Sequence, residues 1–219
     1  MAYEDVLARS GFFSDVPLTR LQEIASAGSN RHLVRGDVLF LAGDISDRLF
    51  VVISGRVAMS NRSIDGRESV VALMEPGDLF GEMPLLDGGT RSTDARALES
   101  SRLFEIPYDP VKAVFESEPS LLWGVVRLLS QRLRNTDEAL ADAMFLDVTG
   151  RTAKRLLELA AGADEFLLPI TQEELAGMVG ASRERVNKAI ASFIRLGWLD
   201  QNDRRYRILM RDRLTQRAR

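Results

Sequence analysis

The sequence predicts an α+β chain: an N-terminal double-stranded β-roll of jelly-roll type, one long helix, and a C-terminal winged helix-turn-helix. Three observations predict it. Short apolar segments separated by glycine-aspartate turns fill residues 31–109. Apolar residues then recur at a 4-3-4-3 spacing through residues 122–143. Residues 171–197 hold two capped helical segments separated by Gly180. These divide the chain into a sensor roll at 1–118, a helix and hinge at 119–146, and a helix-turn-helix domain at 147–219.

The chain opens on short helices. Leu18, Leu21, Ile24 and Ala25 share a helical face behind Pro17, and Gly28 can end that helix. The strand segments 38–41, 49–53, 70–73 and 102–106 follow, with turns at Gly36-Asp37, Gly43-Asp44, Asp65-Gly66, Gly77-Asp78 and Asp87-Gly88-Gly89. Gly55, Gly66, Gly77 and Gly88 lie eleven apart, which suits strand-plus-turn units in a double-sheet roll.

A helix over residues 120–145 carries Leu122, Val126, Leu129, Leu133, Thr136, Leu140 and Ala143 as an a/d seam. Such a seam pairs with a twin helix, packs on its own domain, or does both. Thr136 is its polar member, able to fix register or to touch a polar group entering the seam. Residues 145–150 read as a hinge, with Asp147 or Thr149 capping the helix 151–161 that Gly162 closes.

In the helix-turn-helix, Thr171 and Glu174 have capping-box spacing, Gly180 supplies the turn, and Ser182 caps the second helix. That second helix presents Arg183, Glu184, Asn187 and Lys188 outward. Arg183 and Lys188 can donate to guanine and Glu184 can accept from cytosine N4, while Thr171, Gln172 and Ser182 suit phosphates. Residues 198–209 read as a hairpin wing with Arg204 and Arg205 at its tip.

Composition excludes several classes. The 219 residues are 45% hydrophobic and 28% charged, with no apolar run long enough for a membrane span. The acidic start, Met1 to Asp5, is unlike a signal peptide and points to a cytoplasmic protein. With no cysteine and His32 as the single histidine, disulfides and thiolate-bound zinc are excluded. A cupin-like enzyme would need several histidines, so no catalytic residue, metal or cofactor is expected. Residues 147–219 carry fourteen Lys/Arg against ten Asp/Glu, and residues 1–146 carry fifteen against twenty-two. That asymmetry fits a polyanion partner at the C-terminal end or chance scatter of charge.

A candidate ligand site follows the predicted strand ending at Phe80. Gly81 allows close backbone approach, Glu82 can accept from a ribose hydroxyl, and Arg91 with Ser92 can hold a phosphate. Glu and Arg nine apart are also a common surface ion pair.

Three sets of residues then give the chain a resemblance. They are Phe80-Gly81-Glu82-Met83 with Arg91-Ser92, the hinge Phe145-Leu146-Asp147-Val148-Thr149-Gly150-Arg151, and Val179-Gly180-Ala181-Ser182-Arg183-Glu184 with Val186-Asn187-Lys188. With them the chain resembles the CRP/FNR family of bacterial transcription regulators, in its cyclic AMP receptor protein branch and most like actinobacterial members. The resemblance implies that Gly81, Glu82, Met83, Arg91 and Ser92 hold the ribose and cyclic phosphate, with Thr136 and Asp137 at the purine. It implies a homodimer through the helix 120–145, allosteric control by cyclic AMP, and a TGTGA-like palindrome in double-stranded DNA. Asp137 departs from the Ser or Asn often found there, and an effector such as cyclic di-GMP, or none, is the alternative. The family's RNA polymerase contact region corresponds to residues 161–169, shorter here than in typical members.

Overall fold

The computed structural model describes residues 3–62 and 68–219, so the readings on Met1, Ala2 and the Asp65-Gly66 turn lie outside the described residues. The chain forms two compact units, Met1–Arg134 and Asn135–Arg219, divided inside the long helix.

Among the described residues of the first unit, α1 (Tyr3–Arg9) and α2 (Leu18–Ser26) precede eight strands. These are β1 (Ser29–Leu33), β2 (Val38–Phe40), β3 (Arg48–Ser54), β4 (Val57–Arg62), β5 (Glu68–Met74), β6 (Leu79–Phe80), β7 (Asp94–Ala97) and β8 (Ser101–Pro107). They form two antiparallel four-stranded sheets, in the orders β1-β8-β3-β6 and β2-β7-β4-β5, the double-sheet roll expected from the glycine punctuation. Strand β3 shows why 49–53 reads as an unbroken apolar run: both of its faces are covered. Phe50 and Val52 join Phe40, Val57, Phe80 and Leu103 inside the roll. Leu49 and Val51 join Phe12, Phe13, Ile24, Val111 and Phe115 beneath the helices, including α4 (Tyr108–Ser117).

Two end signals act differently from expectation. α2 ends at Ser26, and Gly28 has no positive φ. A Cβ on Gly28 would lie 2.3 Å from the Phe104 ring, so the glycine is required by packing rather than by a turn. Pro17, expected at an early helical position, stands at the N-cap position, just before the helix begins.

The long helix α5 (Leu122–Phe145) follows a 3-10 turn at Pro119–Leu121. Leu122 and Leu129, expected in the seam, pack partly against the helical core. The exposed apolar face is Trp123, Val126, Leu133, Leu140 and Met144. That face keeps three seam positions and rotates the row slightly, so that Asp137 falls on it.

In the second unit, α6 (Val148–Ala160) is capped by Asp147, whose carboxylate accepts from the Gly150 N–H at 2.8 Å; of the two candidate caps, Asp147 is the one used. The helix closes on Ala161 at φ 47°, with Gly162 following at φ 86°. Then come β9 (Glu165–Leu167), α7 (Gln172–Val179), α8 (Arg183–Arg195), β10 (Leu199–Asn202), β11 (Arg205–Ile208) and α9 (Arg211–Arg217). The wing is a three-stranded sheet, β10-β11-β9, because the connection at 161–169 contributes β9.

Candidate functional site

Two assemblies of polar side chains stand out, one in each unit. The first begins where β6 ends. Gly81 has φ +80°, a left-handed backbone that side chains disfavour. A Cβ on Gly81 would meet Arg91 Nη1 at 2.4 Å, so the glycine also makes room for the guanidinium. Arg91 is 5% exposed. Its Nη1 donates to the Gly81 carbonyl at 2.8 Å, its Nη2 donates to the Arg48 carbonyl at 2.7 Å, and its guanidinium lies 4.1 Å from the Phe40 ring centroid. The Tyr108 hydroxyl donates to the same Gly81 carbonyl at 2.5 Å and lies 2.7 Å from the Ser46 hydroxyl. The Arg91 backbone is stitched to the β2–β3 loop: its N–H donates to Asp44 O at 3.0 Å and its carbonyl accepts from Gly43 at 2.8 Å.

Among the described residues, no carboxylate lies within ion-pair distance of Arg91. Burial accordingly lowers its pKa, against the opposing effects of Tyr108, Asp47 and Glu82. A buried cation held by carbonyl and hydroxyl dipoles and an aromatic face is costly, and an incoming anion would supply its missing counter-charge.

Beside it, Glu82 is 1% exposed. One carboxylate oxygen pairs with Arg132 of α5, whose Nη2 also donates to the Leu79 carbonyl at 2.8 Å. The other, Oε2, is buried with no hydrogen-bond partner. Such an orphan acceptor calls for a donor, and a sugar hydroxyl is one. The surface ion pair between Glu82 and Arg91 weighed in the sequence does not form. Met83 and Ser92 are exposed, and α3 (Met83–Asp87) begins directly after Glu82. Thr136 and Asp137 stand exposed on the part of α5 that belongs to the second unit.

Arg132 was not foreseen. Its one sequence signal is its place four residues before Thr136, on the same helical face. Tyr108 had none. Replacing Gly81 by Ala should cost about 1–2 kcal/mol in backbone strain and displace Arg91. Chemical denaturation would show the first effect, and weakened ligand binding the second.

The second assembly is the helix-turn-helix. Thr171 accepts from the Glu174 N–H at 3.2 Å while Glu174 accepts from the Thr171 N–H at 2.7 Å, the reciprocal cap anticipated from the spacing. Gly180 takes φ 67°, and Ser182 caps α8. Leu175, Ala176, Val179, Val186, Ala189, Ile190 and Phe193 are buried, so the two helices cross on the predicted faces. Arg183, Glu184, Asn187 and Lys188 are all exposed on α8. Glu184 and Lys188 form a 3.0 Å ion pair between solvent-exposed side chains, worth little and easily exchanged for other partners.

The flanking groups are more occupied. The Gln172 amide nitrogen donates to the Tyr206 hydroxyl at 2.5 Å. At the wing, Arg205 pairs with Glu165 at 2.9 Å and Arg204 donates to the Leu168 carbonyl at 3.0 Å.

A roll that buries an arginine without an ion-pair carboxylate, followed by a winged helix-turn-helix, is the architecture of a ligand-binding regulator of nucleic acid. Comparison with known proteins agrees. Residues 30–118 match the cyclic nucleotide-binding domain family, and residues 150–217 match the Crp-like helix-turn-helix domain family. The chain is 37% identical over 223 residues to a CRP-like cAMP-activated global transcriptional regulator of Mycobacterium tuberculosis, covering 99% of this chain and 100% of that one. It is 35% identical over 156 residues to the cyclic AMP receptor protein of Thermus thermophilus, covering 71% and 72%. Among solved structures it resembles the c-di-GMP-responsive global regulator CLP of Xanthomonas campestris, with TM-score 0.76, 26% identity, and coverage of 88% of this chain and 99% of that one.

The chain belongs to the CRP/FNR family of transcription regulators, with a cyclic nucleotide-binding roll and a DNA-binding helix-turn-helix. The family is one of regulators, not enzymes. Among the described residues, no helix is long and apolar enough to cross a membrane.

Proposed function

We propose that this protein is a homodimeric, sequence-specific transcription regulator controlled by cyclic AMP. The observation that carries the proposal is the pair of orphans at Gly81. Arg91 is a buried cation without a carboxylate, and Glu82 Oε2 is a buried acceptor without a donor. A cyclic nucleotide supplies both missing partners, a phosphate anion and a ribose hydroxyl. Gly81, Glu82, Met83, Arg91 and Ser92 form the sugar-phosphate side, and Thr136 and Asp137 meet the purine. A carboxylate at 137 accepts from adenine's exocyclic amine and repels guanine's carbonyl oxygen, which favours cyclic AMP. The similarity to cAMP-activated relatives supports the same choice.

A second copy covers the exposed face of α5, Trp123 to Met144. Pairing there aims two α8 helices at half-sites about 34 Å apart in a TGTGA-like palindrome. A ligand that binds one arrangement of the dimer better than another biases that equilibrium by the difference in affinity. Arg183, Glu184, Asn187 and Lys188 meet base edges, and Thr171, Gln172 and Ser182 meet phosphates.

Selection of duplexes from a random pool, with and without cyclic AMP, tests the reading. A palindrome enriched only with the nucleotide is expected, and enrichment that ignores it would reject cyclic AMP as effector. In the same assay Glu184→Ala should relax preference at one base pair per half-site by about 1–3 kcal/mol.

A further inference from the structure

The last helix, α9, is tied at both ends to the residues that flank α6. At its start the Arg211 side chain donates to Asp164 at 3.0 Å. In its middle Leu214 is fully buried. At its end Arg217 pairs with both carboxylate oxygens of Asp147, the residue that caps α6. Gly150 seats this contact. A Cβ there would come within 3.0 Å of both the Arg217 guanidinium and its carbonyl oxygen.

Asp147 is also on the wall of an open groove. Its other lining residues are Val148 and Thr149 at the start of α6, and Arg185, Lys188, Ala189 and Ser192 along the flank of α8. Arg185 makes no ion pair among the described residues, and Lys188 is held only by the exposed Glu184. Two cations and the Ser192 hydroxyl on the flank of α8, with the Thr149 hydroxyl facing them from α6, make a wall suited to the sugar-phosphate backbone beside a helix that enters the major groove. A bare Asp147 carboxylate in that wall would oppose a phosphate. The Gly150 N–H and the Arg217 guanidinium both hold the Asp147 carboxyl below its usual range, so it carries its charge at neutral pH.

We infer that Arg217 of the C-terminal helix is a positioning residue of the DNA interface: by neutralising Asp147 it makes the α6–α8 groove acceptable to backbone phosphate. The charge of the DNA interface is therefore set in part from α9, outside the helix-turn-helix and the wing. This inference rests on the DNA-binding reading above and adds a requirement that reading does not contain.

The test is a charge-rescue cycle in the full-length protein, using the duplex selected for the wild type and fluorescence anisotropy at low and high salt. Arg217→Gln leaves Asp147 unneutralised and should weaken binding about fivefold per half-site at low salt, from two unit charges a few ångströms apart in water-like surroundings. The deficit should shrink as salt rises. Asp147→Asn keeps an equally good helix cap and frees the Arg217 charge, so at low salt it should bind at least as tightly as the wild type and up to about fivefold more tightly. The double variant, Asp147→Asn with Arg217→Gln, should recover wild-type affinity, because no carboxylate is left to neutralise.

A double variant as weak as Arg217→Gln would overturn the inference and reduce Arg217 to a staple for α9. Wild-type affinity in Arg217→Gln at low salt would overturn it too. A wild-type chain that prefers no duplex would sink the functional reading itself, and this inference with it.

Discussion

Replacing Arg91 by Ala is expected to lower cyclic AMP affinity about a hundredfold or more while leaving the fold nearly as stable. Charge-assisted hydrogen bonds to a cyclic phosphate contribute about 1.5–3 kcal/mol each, and a guanidinium can make two in parallel. The stability side follows from burial. Arg91 is 5% exposed with no carboxylate within ion-pair distance among the described residues, so removing it abolishes a desolvation cost as well as its bonds to the Gly81 and Arg48 carbonyls. The Gly81 carbonyl keeps its bond from the Tyr108 hydroxyl. Arg91→Lys should not rescue, because an ammonium lacks the planar fork that spans both carbonyls and lies over Phe40. Calorimetric titration beside thermal unfolding reads both effects. Undiminished affinity in Arg91→Ala would move the ligand elsewhere in the roll.

What the sequence could disclose depended on whether the cause of a feature lay close along the chain. The caps at Thr171, Ser182 and Asp147 each join residues three apart, and Gly180 is needed for a single φ, so these were legible locally. The roll was legible through its punctuation, since strands covered on both faces, such as β3, show apolar runs between glycine turns. Contacts that cross the fold were not. Glu82 meets Arg132, fifty positions on, and on the arginine-rich surface of α5 only its place four residues before Thr136 marks that residue. The same holds for Arg217 and Asp147, seventy positions apart. Gly28 shows the opposite failure: the residue was noticed, but its reason is the Phe104 ring and not a turn. The wing tip was read by residue type alone, whereas the fold gives Arg205 to Glu165.

The α5 seam is the subtler case, and it leads to the second large expectation. A 3.5-residue period on a 3.6-residue helix leaves two neighbouring rows nearly equivalent, and only packing against the roll chooses between them. Leu122 and Leu129 go to the helical core, so Val126, Leu133 and Leu140 carry the exposed face, with Trp123 and Met144 at its ends. Leu133→Asp with Leu140→Asp should therefore separate the protomers without unfolding either unit, because neither leucine belongs to a core. Each leucine buried in a dimer contributes about 1.5–3 kcal/mol, and four are lost per dimer. Four new carboxylates would face one another, near the two Asp137 side chains already there. Sedimentation should then show monomers at micromolar concentration. Joining two half-site readers into one particle raises avidity by about 10²–10⁴, so affinity for the palindrome should fall by that range, while binding to an isolated half-site changes little. A variant that stays dimeric, or one that is monomeric yet binds the palindrome as tightly as before, would mean that α8 is aimed at DNA by something other than the pairing of α5.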